Sequence, residues 1–125
     1  AGRESAQPAI TFDLTASILS LTGAKPRPNL PLDGIDIVDH LQNNKPDTAR
    51  TLFWRQQRGD QIWRGVREGD WKLVVRQQGS ERTQWLFELS KDIGEKKDLM
   101  ASRPADAQRL QGLLAKWEED VRPSR

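Results

Sequence analysis

Three glycine-containing breaks, Gly59-Asp60, Gly69-Asp70 and Gly79-Ser80, cut the middle of the chain into short apolar runs. They constrain the fold more than any other feature. A loop this short joins antiparallel neighbours and leaves no room for the crossover that a parallel pair needs. The runs around them, Thr51 to Gln57, Gln61 to Glu68, Trp71 to Gln77 and Thr83 to Leu89, are rich in Trp, Phe, Val, Leu and Ile and are expected to be strands. Alternation puts Trp71, Leu73 and Val75 on one face, with Lys72 and Arg76 on the other. Trp85, Phe87 and Leu89 likewise share a face, with Glu88 opposite. One buried and one wetter face is what an antiparallel sheet with a single cover needs.

The last helix is the expected cover. Pro104 suits its first turn, behind Ser102 or Arg103. Leu110, Leu113, Leu114, Trp117 and Val121 recur at helical spacing as one apolar stripe. Asp106 near the start and Arg122 near the end have the charge order that the helix dipole favours, and Pro123 ends the run. Of the 125 residues only 35% are hydrophobic and 30% are charged, so the five tryptophans must supply much of the buried area. A sheet under one helix places Trp71, Trp85 and Trp117 in a core without any ligand. A fully buried Trp117 would cost roughly 3–5 kcal/mol on replacement by Ala.

The fold class expected is therefore α+β: a four-stranded antiparallel sheet covered by a C-terminal helix, preceded by an N-terminal helix and a Pro-rich linker. Residues 1–24 hold the first helix, capped by Thr11 or Asp13, with Leu14, Ile18 and Leu21 on one face and Gly23 as its left-handed stop. Residues 25–50 form the linker. Pro26, Pro28 and Pro31 keep its start extended, Asp33-Gly34 marks a turn, and Ile35, Ile37, Val38 and Leu41 pack a short helix ending near Asn43-Asn44. Residues 51–125 are the sheet and the last helix.

The chemistry on offer is limited. There is no cysteine and a single histidine, His40, which argues against thiol or multi-histidine metal sites. Asp33, Asp36 and Asp39 are spaced like part of an oxygen-ligand loop, but the glycine and closing glutamate of an EF-hand are missing, so capping and solvation are their expected roles. No metal ligand and no catalytic residue is assigned. No apolar run approaches the ~18 residues of a membrane span. Net charge is +2, yet seven arginines and Lys72 crowd the stretch from Arg50 to Arg82. Most fit the solvated face of a sheet, with one or two left for an anion.

Several runs resemble the C-terminal part of sulfatases of the arylsulfatase type, in the alkaline-phosphatase superfamily. Gly65-Val66-Arg67-Glu68-Gly69-Asp70-Trp71-Lys72-Leu73 and Leu86-Phe87-Glu88-Leu89-Ser90-Lys91-Asp92-Ile93-Gly94-Glu95 carry the resemblance most strongly. Asp13-Leu14-Thr15-Ala16-Ser17-Ile18-Leu19-Ser20-Leu21-Thr22-Gly23-Ala24, Leu32-Asp33-Gly34-Ile35-Asp36-Ile37 and Arg50-Thr51-Leu52-Phe53-Trp54-Arg55 are similar to further family runs in the same order. Ala16 and Ile93 stand where the family usually has proline, and Asp98 where asparagine is frequent. The resemblance implies a parent enzyme that hydrolyses sulfate esters, on sulfated sugars or aryl sulfates, with a formylglycine nucleophile and calcium. It also implies a periplasmic or secreted parent. The formylglycine precursor, Cys/Ser-x-Pro-x-Arg, is absent from this chain.

The expected role is thus non-catalytic: to complete a missing N-terminal catalytic domain and wall its cleft. Trp54, Arg55, Gln57 and Arg58, around the first turn, are the candidate substrate-binding residues, because an aromatic plane and a guanidinium together suit a sulfated sugar. The competing reading makes Trp54 core and Arg58 a solvated turn residue. Without its catalytic domain the chain would expose Ile10, Leu14 and Ile18 and pair with a second copy. A stand-alone carbohydrate- or anion-binding module is the alternative, as is the end of a phosphodiesterase or phosphonate hydrolase of the same superfamily. Basic strands with tryptophans also suit single-stranded nucleic acid, but net charge is small and no recognition motif is present, so no nucleic-acid or membrane partner is expected.

Overall fold

A computed structural model describes Gly2 and residues 4–121. The order of elements is α1 (Phe12–Thr22), α2 (Ile37–Gln42), β1 (Thr51–Arg58), β2 (Gln61–Glu68), β3 (Trp71–Gln78), β4 (Glu81–Glu88) and α3 (Pro104–Asp120). Among the described residues no helix is long and apolar enough to cross a membrane. Arg122 and Pro123, expected to end the last helix, lie outside the described residues. The chain divides into two compact units, 1–48 and 49–125.

The first unit is organised by polar groups. Asp13 is 1% exposed; its carboxylate accepts from the Ile10 N–H at 2.8 Å and from the Ile35 N–H at 3.0 Å. Thr11 holds the N-cap position of α1 without a side-chain bond, so Asp13 does the reaching back. Ser17, equally buried, donates to the Asp13 carbonyl and accepts from the Ile37 N–H at 3.0 Å. Two side chains of α1 thereby pin the segment leading into α2. Gly34 makes the approach close: a Cβ there would lie 2.4 Å from the Phe12 carbonyl oxygen. Gly23 ends α1 at φ 70°, in the left-handed region.

The second unit is a meander in the order β1-β2-β3-β4, every pair antiparallel. Gly59, Gly69 and Gly79 sit first in two-residue turns at φ near 57°, as in a type II′ turn. These turns fix the register: Phe53 pairs with Val66, Val66 with Leu73 and Leu73 with Leu86. Val66, Leu73, Val75 and Leu86 bury against Ala107, Leu110 and Leu114 of α3. Polar pairs surround that core: Arg64 with Glu118, Arg109 with Glu68, and Gln111 with Gln84. Phe53 stacks on Trp117, ring centroids 5.2 Å apart, and Trp71 packs against the same cluster.

Three expectations change here. Trp85 is not under α3. Because Leu86 pairs with Leu73, alternation turns Trp85 and Phe87 to the far side of the sheet. Trp117 is only partly buried, and Val121, 51% exposed, lies at the helix end rather than in its stripe. Strand β4 begins at Glu81, two residues earlier than its composition suggests, because the turn at Gly79-Ser80 leads straight into pairing.

Candidate functional site

The runs between β4 and α3 show what the most distinctive residues of this chain do. Lys72 Nζ lies 2.5 Å from Glu95 Oε1 and 5.1 Å from the centroid of the Trp54 ring. Asp98 Oδ1 accepts from the N–H groups of Leu86 and Met100, both at 3.0 Å. Leu99 N–H donates to the Leu86 carbonyl at 2.8 Å. The loop therefore closes over the outer edge of β4, satisfying groups that would otherwise offer a template for aggregation. Asp92 accepts from the N–H groups of Lys96 and Lys97 at 2.8 Å, shaping the same loop. Lys72, Asp92, Glu95 and Asp98 are thus fasteners of the fold.

The sheet face away from α3 holds the candidate binding residues. Residues paired across neighbouring strands lie on one face, and two such rows are Trp54–Gly65–Val74–Trp85 and Gln56–Trp63–Arg76–Thr83. A Cβ on Gly65 would fall 2.2–2.4 Å from atoms of the Trp54 indole, so that ring lies flat over β2. Trp63 and Trp85 meet over β3, centroids 6.0 Å apart and planes 11° from parallel. The Arg76 guanidinium sits 5.9 Å from both rings. A cavity of about 450 Å³ opens beside them, lined by Trp63, Val74, Trp85, Phe87, Glu95, Lys96 and Asp98.

Of the four residues singled out in the sequence, Trp54 and Arg58 lie on this face. Arg55 and Gln57 point to the other, since β1 runs as regular strand to Arg58. Gln57 donates to the Gly59 carbonyl at 3.3 Å and so belongs to the turn. Sequence reasoning passed over Trp63, Arg76 and Trp85 as a group. The signal was present: with two-residue turns the pairing of Trp63 with Arg76 and of Val74 with Trp85 follows by counting.

The aspartates of the first unit serve structure. Asp36 caps α2, accepting from the Asp39 N–H at 2.9 Å, and that bond, helped by the Ser20 hydroxyl, holds its carboxyl below the usual range. Asp39 bonds Lys45 first and Asn43 second, which lowers its pKa too. Among the described residues no three His, Asp or Glu side chains gather as a metal site, and the sequence has no cysteine.

No family model and no curated protein matches the chain. Solved structures do. Ps i-CgsB, determined in complex with k-i-k-neocarrahexaose, is 25% identical with a TM-score of 0.73, over 93% of this chain and 25% of that one. The putative sulfatase yidJ from Bacteroides fragilis is 18% identical with a TM-score of 0.67, over 86% and 24%. BT4656, in complex with its substrate D-glucosamine-2-N,6-O-disulfate, is 15% identical with a TM-score of 0.71, over 89% and 24%. In fold the chain is similar to a sulfatase C-terminal region. It spans about a quarter of the length of the structures it matches.

Proposed function

We propose that this chain is the non-catalytic end of a sulfuric ester hydrolase acting on sulfated carbohydrate. The likeness to Ps i-CgsB over 93% of the chain carries the reading. The ligands named for Ps i-CgsB and BT4656, k-i-k-neocarrahexaose and D-glucosamine-2-N,6-O-disulfate, favour a sugar over an aryl sulfate. The nucleophile and calcium belong to the catalytic part, which this region completes. The stripe Leu14, Ile18 and Leu21, each more than half exposed on α1, is the face that meets the rest of that domain, or a second copy when it is missing. The coding sequence ahead of Ala1 tests the reading: a Cys/Ser-x-Pro-x-Arg motif is expected there, and a different nucleophile motif overturns it.

Within this reading Trp54 and Arg58 contribute to the wall of the substrate cleft. Arg58 ends β1 beside the first turn, on the same face as the Trp54 ring. In the complete enzyme, Arg58→Ala is expected to raise KM about tenfold, the loss of one charge-assisted bond to a sulfate, with kcat and Tm unchanged. An unchanged KM removes Arg58 from the wall.

A further inference from the structure

Arg76 is unlike Arg64 and Arg109, which serve the other side of its sheet. Arg64 and Arg109 are both committed to carboxylates, Glu118 and Glu68. The guanidinium of Arg76 makes one long hydrogen bond, to the Thr83 hydroxyl at 3.5 Å, and no carboxylate among the described residues pairs with it. A guanidinium carries five N–H donors in a planar fork. Here most of them are unused, on a half-buried side chain held against two indole rings. That is an anion-binding group fixed before any ligand arrives, and little ordering entropy remains to be lost when one binds.

The surroundings narrow the anion. Trp63 and Trp85 offer flat apolar surface, and both are half-buried, so part of each stays open to solvent. The adjoining cavity of about 450 Å³ is within the range of small-ligand sites. Its charged lining is mixed. Glu95 is already neutralised by Lys72, and Asp98 is engaged by two backbone N–H groups, whereas Lys96 lines the cavity with no ion pair among the described residues. The α3 core is closed by Val66, Leu73, Val75 and Leu86 and makes no use of this cluster.

We infer that Trp63, Arg76 and Trp85 form a subsite for a sulfate-bearing pyranose: the ring packs on indole and the sulfate takes the Arg76 fork. The choice of a sulfated sugar rests on the function proposed above; the site itself is distinct from the Trp54 and Arg58 wall.

Calorimetric titration of the chain with D-glucosamine-2-N,6-O-disulfate, glucosamine and inorganic sulfate tests this, with indole fluorescence as a second readout. The disulfated sugar is expected to bind and to change indole emission. Glucosamine and inorganic sulfate should each bind at least about tenfold more weakly, since each lacks one half of the recognition. Arg76→Gln should lose at least about tenfold in affinity with an unchanged melting curve, and Arg76→Lys should fall between. No binding, equal binding by Arg76→Gln, or sulfate binding as tightly as the sugar would each overturn the subsite. An upstream Cys/Ser-x-Pro-x-Arg motif together with a blank titration sinks the subsite alone. Binding without that motif sinks the sulfatase reading and keeps the subsite.

Discussion

Gly65 has no side chain, and that absence positions one of the largest rings in the molecule. The Trp54 indole occupies the space where a Cβ would stand, and Lys72 lies over the ring on its way to Glu95. Replacing glycine by alanine usually stabilises by about 0.4–1 kcal/mol through the unfolded chain. Overpacking costs about 1–3 kcal/mol, so the clash should win. Gly65→Ala is expected to lower Tm and to shift indole emission as the ring lifts. A variant with raised Tm and unaltered emission would mean that Trp54 does not rest there. Such a glycine inside a strand run hints at close approach by a neighbour, but only the pairing of Trp54 with Gly65 says which neighbour.

Helix α3 divides its burial unevenly. Leu110 and Leu114 are 0% and 2% exposed, whereas Trp117 stacks on Phe53 with part of its ring still wet. Leu110→Ala should therefore cost about 2–5 kcal/mol. Trp117→Ala should cost about 2 kcal/mol, below the range for a buried tryptophan. Urea denaturation of both variants ranks them; a larger loss at Trp117 would contradict the packing described. The helix was legible from Pro104 and its leucines, and the meander from Gly59, Gly69 and Gly79. The facing of β4 was harder to read. Trp85 and Phe87 outweigh Leu86 in apolar area, so alternation alone points the wrong set at the helix. Register decides, because Leu86 must lie beside Leu73. The candidate site suffered likewise: Trp54 and Arg58 stand out by residue type, but Trp63, Arg76 and Trp85 meet only across three strands.

At the scale of the molecule, the runs that most resemble sulfatases prove to be mechanical. Lys72, Glu95 and Asp98 tie the loop after β4 to the sheet, and Asp13 ties α1 to the segment before α2. They report architecture, which is why the resemblance was legible in them. On α1, Leu14, Ile18 and Leu21 are 56%, 59% and 66% exposed, a stripe that water covers poorly. The isolated chain is expected to associate with itself as concentration rises, and Ile18→Glu to restore the monomer. Sedimentation velocity decides, and a monomer at every concentration removes the stripe from consideration. The meander has one more consequence, in time. Each strand pairs with its successor across a two-residue turn, so no pairing waits for a distant segment. Loop closure is cheap at every step, and the sheet can zip hairpin by hairpin at about the microsecond pace of a single hairpin. Packing of Leu110 and Leu114 against Val66 and Leu73 is the longer-range step, joining α3 to strands laid down well before it.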